Sequence, residues 1–229
     1  MIATSTNAAT DAATGQDGAA NAAAVRDTAF WDRIAPKYAT DPIADPAAYE
    51  ETLDRMRHHL RPEHRVVEIG CGTGSTALAL APAVAAYVGT DVSPRMIGIA
   101  EGKRREAGAD GLSFEARAAG DLPPGPFDAV LALNLLHLVA DLDDLLARVA
   151  DALPTGGLFV SKTALLADGA WFLRPAVALM RAVGKAPRTV LSLRQGELRA
   201  RIERSGFAIE ETILQPGIAP RLFVVARRL

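Results

Sequence analysis

The sequence predicts an α/β fold: a doubly wound, mostly parallel, seven-stranded sheet ending in a C-terminal antiparallel hairpin. Three observations carry this. Short apolar, β-branched runs alternate with helical patterns between Val66 and Thr163, which implies parallel strands joined by crossover helices. The run VVEIGCGTGSTALALA, Val66 to Ala81, joins a strand to an Ala-rich helix through glycines at 70, 72 and 74. Finally, the apolar runs Phe207 to Leu214 and Arg221 to Ala226 are separated by a turn containing Gln215, Pro216 and Gly217, as in a hairpin.

The elements follow in order. Residues 1–25 are rich in Ala, Thr, Asn and Gly and have no Lys or Arg before Arg26, so they read as a disordered tail and not as a secretory signal. FWDRIAPKYATD and PAAYEETLDRMRHHL read as short helices, the second opened by Pro46 and closed at Arg61-Pro62. Strands are expected at Val66 to Ile69, Tyr87 to Val92, Leu112 to Ala118, Phe127 to Asn134 and Leu158 to Thr163. Between them lie helices from Gly74 to Ala81, from the Ser93-Pro94 cap towards Ala109, and from Leu142 to Leu153. Trp171 to Val183 is an apolar helical stretch containing Pro175, and Arg194 to Arg204 is a charged helix ended by Gly206. The expected division is one domain over 26–229, with a helical lid at 28–61 and a helical insertion at 164–192.

Composition narrows the partners. The 229 residues suffice for one full α/β domain. A net charge of -2 gives no general attraction to nucleic acid, and the basic residues lack interleaved aromatic stacking groups. The longest apolar stretch, Ala77 to Val88, is broken by Pro82 and falls short of the roughly 20 residues a bilayer core requires, so no transmembrane segment is expected. The one cysteine, Cys71, excludes an internal disulfide and any Cys-built metal centre, and is compatible with a reducing, cytoplasmic location. His58, His59 and His64 cluster at a helix end, where solvated or capping roles outweigh a metal site; no metal is expected.

Two cofactors suit the glycine loop. Gly72, Gly74 and Ala77, followed by Asp91, fit G-x-G-x-x-[GA] with a ribose-binding acid about twenty residues on. Glu68, Gly70, Gly72 and Gly74 also fit E-x-G-x-G-x-G, in which the Glu suits a ligand carrying an ammonium group better than a pyrophosphate. With Asp91, FDAVLALNLLHLVADLDDLL (Phe127 to Leu146) and LPTGGLFVSKT (Leu153 to Thr163), the second pattern resembles the class I S-adenosylmethionine-dependent methyltransferases. FWDRIAPKYA is similar to the opening segment of their small-molecule branch.

That resemblance implies a Rossmann-like methyltransferase fold and S-adenosyl-L-methionine as cofactor. Gly70, Cys71, Gly72 and Gly74 would approach its methionine part, with Glu68 orienting the loop or the ammonium group. Asp91 would accept the ribose hydroxyls, Val92 and Met96 would flank the adenine, and Tyr38 would act as a lid on the carboxylate. Taken alone, Asp91 could be a strand-end turn former and Tyr38 a core aromatic. Asn134 would lie near the methionine moiety or serve as a strand-to-helix turn residue. The family usually carries an acid for the adenine amino group where this chain has Ala118. Asp121 could substitute, or the backbone at Ala118 and Ala119 could serve alone. His137 is a general-base candidate, its alternative a histidine that ties down the loop.

The acceptor implied is a small molecule, apolar or anionic. Phe30, Trp31 and Tyr38 with Trp171, Phe172, Leu179 and Met180 could roof its pocket, one face packing on the sheet and another meeting the acceptor. Residues 164–204 hold eight basic side chains against three acids, which reads as a solvated helix face or as attraction to an anionic acceptor or a peripheral membrane contact. The sequence leaves the oligomeric state open. An NAD-linked oxidoreductase and a non-catalytic cofactor-binding scaffold are the competing functions.

Overall fold

The computed structural model describes residues 27–229; the expected tail at 1–25 lies outside the described residues. Helix α1 runs over 27–40 and α2 over Pro46–His59, with Asp45 capping α2 by accepting from the Ala48 amide at 3.0 Å. The chain then alternates: β1 (Arg65–Ile69), α3 (Ser75–Leu80), β2 (Ala86–Asp91), α4 (Pro94–Ala107), β3 (Leu112–Ala116), β4 (Ala129–Leu133), α5 (Leu142–Ala152) and β5 (Leu158–Ala164). Helices α6 (Leu173–Ala182) and α7 (Gln195–Arg204) follow, then β6 (Phe207–Gln215) and β7 (Arg221–Arg228). The seven strands are ordered β3-β2-β1-β4-β5-β7-β6. All pairs are parallel except β5 with β7 and β7 with β6, which form the expected antiparallel end.

Side chains alternate across each strand, so the sheet carries two cores. On one face Ile69, Val130, Phe159 and Val224 pack with Leu146 and Val149 of α5 and Leu198 and Ile202 of α7. On the other, Val66, Leu131, Val160 and Phe223 pack with Leu53 and Met56 of α2, Leu80 of α3 and Ile97 of α4. The chain leaves β1 towards β2 on one side and returns to β4 on the other. This puts the topological switch point at the C-terminal ends of β1 and β4, where open α/β sheets form their crevice.

Three differences from the expected elements have local causes. β4 stops at Leu133 because Asn134 has φ 55°, the one non-glycine residue with positive φ among those described, and so turns out of the strand. Helix α4 ends at Ala107, where Gly108 adopts a left-handed cap. The third concerns the roof: α6 contains no buried residue, and Trp171 is 86% exposed. Its expected packing against the sheet is therefore not observed; the sheet face is already covered by α5 and α7.

Candidate functional site

The glycine loop sits at the switch point. Gly70, Gly72 and Gly74 all have positive φ (71°, 56° and 74°), which L side chains rarely adopt. Their surroundings differ. A Cβ on Gly70 would stand 2.8 Å from Leu135 Cδ1, and one on Gly74 would stand 2.6 Å from Phe114 Cζ. Gly72 meets only Tyr38 Cε1, at 3.7 Å, and so turns its bare main chain towards open space beneath that ring. Tyr38 is 52% exposed, with its ring edge over the loop at Gly72; partial burial and then the carboxylates of Asp91 and Glu68 raise its hydroxyl pKa.

Asp91, the last residue of β2, is the polar centre. One carboxylate oxygen accepts from the Gly72 amide at 3.0 Å and the other from the Ser93 amide at 2.9 Å. Each keeps accepting capacity for a further donor, such as a hydroxyl. Burial raises its pKa, and the two amide bonds oppose that shift. Glu68, by contrast, is 2% exposed and takes a hydrogen bond from the Tyr87 hydroxyl at 2.9 Å. Burial pushes its pKa up to about 7. It lies at the end of β1 just before the loop, with Tyr87 of β2 as its side-chain hydrogen-bond partner. Cys71 is also buried, its thiol pKa raised by burial, while its amide donates to the Thr90 carbonyl at 2.8 Å.

Around this centre the other expected residues divide. Val92 keeps partial exposure, but Met96 is 1% exposed on the inner side of α4 and presents no open surface for an adenine. Ala118 is exposed, and its carbonyl accepts from the Asp121 amide at 2.9 Å. The Asp121 carboxylate is occupied by Arg117 Nη1 at 3.1 Å, so it does not reach round as a substitute acid. Ala119 is half-buried beside it. Asn134 is exposed, with its amide donating to the Lys162 carbonyl at 2.6 Å.

His137 lies in a single 3-10 turn, Leu136–Leu138. Its Nδ1 is buried without a partner, and burial and then the charge of Arg221 push its pKa down to about 4. The ring is neutral at pH 7 but a weak proton acceptor. Its carbonyl accepts from the Leu191 amide at 2.7 Å, which ties down the segment before α7. Of the remaining histidines, His58 packs edge-on against the His59 ring, His59 Nε2 lies 2.9 Å from Glu211 Oε2, and His64 Nδ1 accepts from the Arg61 amide at 3.3 Å.

Two groups of residues escaped the sequence reading. Asp32 of α1 accepts from the Ser93 hydroxyl and, at 3.1 Å, from the Arg95 amide, fastening the N-terminal segment to the first turn of α4. Nothing in the sequence links residues 61 apart in this way. Lys162, inside the apolar strand LFVSKTA, is only 9% exposed and donates to Thr52 Oγ1 at 2.9 Å. A charged residue amid such a strand was the available signal.

With this geometry in hand, the relatives can be read. Residues 67–159 match the methyltransferase domain family. This match covers less than half of the chain; with the sheet order and glycine loop it makes the chain similar to the class I S-adenosylmethionine-dependent methyltransferases. Two curated relatives illustrate the likeness. An uncharacterized methyltransferase of Bacillus subtilis is 33% identical over 102 residues, which is 44% of this chain and 40% of that protein. A ubiquinone biosynthesis O-methyltransferase of Azorhizobium caulinodans is 31% identical over 147 residues, 58% of this chain and 56% of that one. The chain thus matches about half the length of these relatives. Among solved structures, the same Bacillus subtilis protein superposes with a TM-score of 0.67 at 19% identity, covering 78% of this chain and 98% of that one. The magnesium protoporphyrin IX methyltransferase of Synechocystis, with bound S-adenosylhomocysteine, gives 0.65 at 22% identity, covering 87% and 93%. No helix among the described residues is long and apolar enough to cross a membrane.

Proposed function

We propose that the chain transfers a methyl group from S-adenosylmethionine to a small acceptor. The observation that carries this is the pairing of an open, left-handed Gly72 with Asp91, whose carboxylate spans the Gly72 and Ser93 amides at the switch point. The site fits an amino acid joined to a nucleoside: a bare main chain beside Tyr38 for the amino-acid end, and an acid with spare acceptors for ribose hydroxyls. The cofactor supplies a methyl group on a sulfonium, open to in-line displacement.

The protein's part is to hold and enclose. Gly70, Cys71, Gly72 and Gly74 form the main-chain cradle over Glu68, and Asp91 accepts the ribose. Tyr38 covers the loop, while Val92 and the backbone at Ala118 and Ala119 border the base. Asn134 borders the reacting end. His137 ties down the Leu191 segment through its main-chain carbonyl, and its ring, with a pKa of about 4, is poorly suited to hold a proton at pH 7. Positioning can supply roughly 7 to 11 kcal/mol for well-oriented reactants, so an acceptor that reacts without losing a proton needs no base. The acceptor is bounded by the helical lid, 28–61, and the insertion, 164–192.

That the acceptor is a small molecule is supported by relatives such as the ubiquinone biosynthesis O-methyltransferase and the magnesium protoporphyrin IX methyltransferase. Calorimetry with S-adenosylhomocysteine tests the cofactor, and labelled-methyl transfer over lipophilic acids, quinones and amines tests the acceptor. Saturable binding of reduced nicotinamide with no response to S-adenosylhomocysteine would overturn the reading in favour of an oxidoreductase. Binding without transfer to any acceptor would favour a scaffold.

A further inference from the structure

Lys162 is a buried cation without a carboxylate partner. Its ammonium donates to Thr52 Oγ1 at 2.9 Å, and among the described residues it forms no ion pair; Asp45 and Glu51 act on it only at a distance. Such a group is costly to bury unless something compensates it. Thr52 does not depend on it, since the Thr52 hydroxyl donates to the Ala48 carbonyl at 2.7 Å and also accepts from Gln215 Nε2 at 3.4 Å.

A second cation stands beside the first. Arg221 is exposed and makes no ion pair among the described residues, yet its charge lowers the pKa of both Lys162 and His137. Strand register explains the proximity. Ala164 pairs with Arg221, which pairs with Gln215, and directly opposed side chains share a face. Two positions along β5, Lys162 shares that face too. Its neighbours there are Leu133 and Phe223, with Ile213 beyond. The cluster thus sits at the C-terminal edge of the sheet, one strand from Asn134, with apolar neighbours on the same face and a cationic end.

We propose that Lys162 and Arg221, positioned by Thr52 and Gln215, bind an oxyanion, carboxylate or phosphate, on the apolar body of the methyl acceptor. This rests on the methyltransferase reading and adds the acceptor's chemistry to it. An arriving anion would supply the counter-charge that Lys162 lacks, and Arg221 could close over it from solvent.

The test uses the full chain saturated with S-adenosylhomocysteine and three probes: benzoate, phenyl phosphate and the neutral benzamide. In the wild type at least one anion should bind ~10-fold or more tightly than benzamide, and the better of the two identifies the oxyanion. Lys162→Met should bring all three within about twofold, Arg221→Gln should weaken the anions several-fold, and Arg199→Gln on α7 should change nothing. The thermal midpoint of Lys162→Met should equal or exceed that of the wild type, because no buried group loses its only partner. Anions no tighter than benzamide, a preference that survives Lys162→Met, or a lowered midpoint for that variant would each overturn the proposal. If S-adenosylhomocysteine itself fails to bind the wild type, the cofactor reading falls, and the same titrations on the free protein decide the anion site separately.

Discussion

Glu68→Gln tests the carboxylate beneath the glycine loop. Glu68 is 2% exposed, takes one hydrogen bond from Tyr87, and has its pKa pushed from 4.5 to about 7, first by burial. The folded protein therefore keeps this proton to a higher pH than the unfolded chain does. Stability is full below the unfolded value of 4.5 and is lost as pH rises through 7. At 1.36 kcal/mol per pKa unit the loss is about 3 kcal/mol. Gln keeps a carbonyl acceptor for Tyr87 and never ionises. The variant should match the wild type near pH 4.5 and be more stable by about 2 to 3 kcal/mol at pH 8. Urea unfolding at half-unit pH steps, with the slope checked for constancy, measures this difference. His137 titrates in part of the same range but is common to both proteins and cancels. A flat difference curve, or a variant less stable than the wild type at pH 8, refutes the reasoning.

Further outcomes are expected. Asp91→Ala should weaken S-adenosylhomocysteine binding by ~10-fold or more, since each hydrogen bond to a charged acceptor is worth about 1.5 to 3 kcal/mol; unchanged calorimetric affinity would contradict its role. Gly74→Ala should lower the thermal midpoint more than Gly72→Ala, because both carry positive φ but only Gly74 is crowded, by Phe114 Cζ at 2.6 Å and Ala100 Cβ at 2.8 Å. Gly72→Ala should instead show its main effect on cofactor affinity, and the reverse ordering would mean the open side has been misplaced. His137 has its pKa lowered from 6.5 to about 4, so its contribution is present above pH 6.5 and lost as pH falls through 4. Replacing it with Phe should flatten acid unfolding across that window, as followed by circular dichroism.

The frame was legible because periodicity and glycine placement are local properties. Gly70, Gly72 and Gly74 need positive φ whatever surrounds them, and the Ser93-Pro94 pair caps α4 as its residue types dictate, with Ser93 Oγ accepting from the Met96 amide at 3.0 Å. What eluded the sequence was tertiary. Met96 has the same periodicity whether it borders a ligand or the interior, and only α4's rotation decides between them. Asp121 looked available until Arg117 engaged it. The apolar stretch of α6 promised burial, but the other helices had already covered the sheet, leaving Leu179 66% exposed. Lys162 gained its meaning from Thr52 and Arg221, which lie 110 and 59 positions away in the chain.

The bond from Asp32 to Ser93 has a kinetic side. Ser93 donates its hydroxyl to Asp32 and its amide to Asp91, and its side-chain oxygen accepts from the Met96 amide, so one residue joins α1, Asp91 and the first turn of α4. A movement of α1 that uncovers the loop must strip Asp32 from a positive helix end and leave the Arg95 amide without that acceptor. On the proposed reading, departure of a spent cofactor would be coupled to loosening of the floor on which it rests, and the dwell time of product would depend on this one junction as much as on the contacts the product makes.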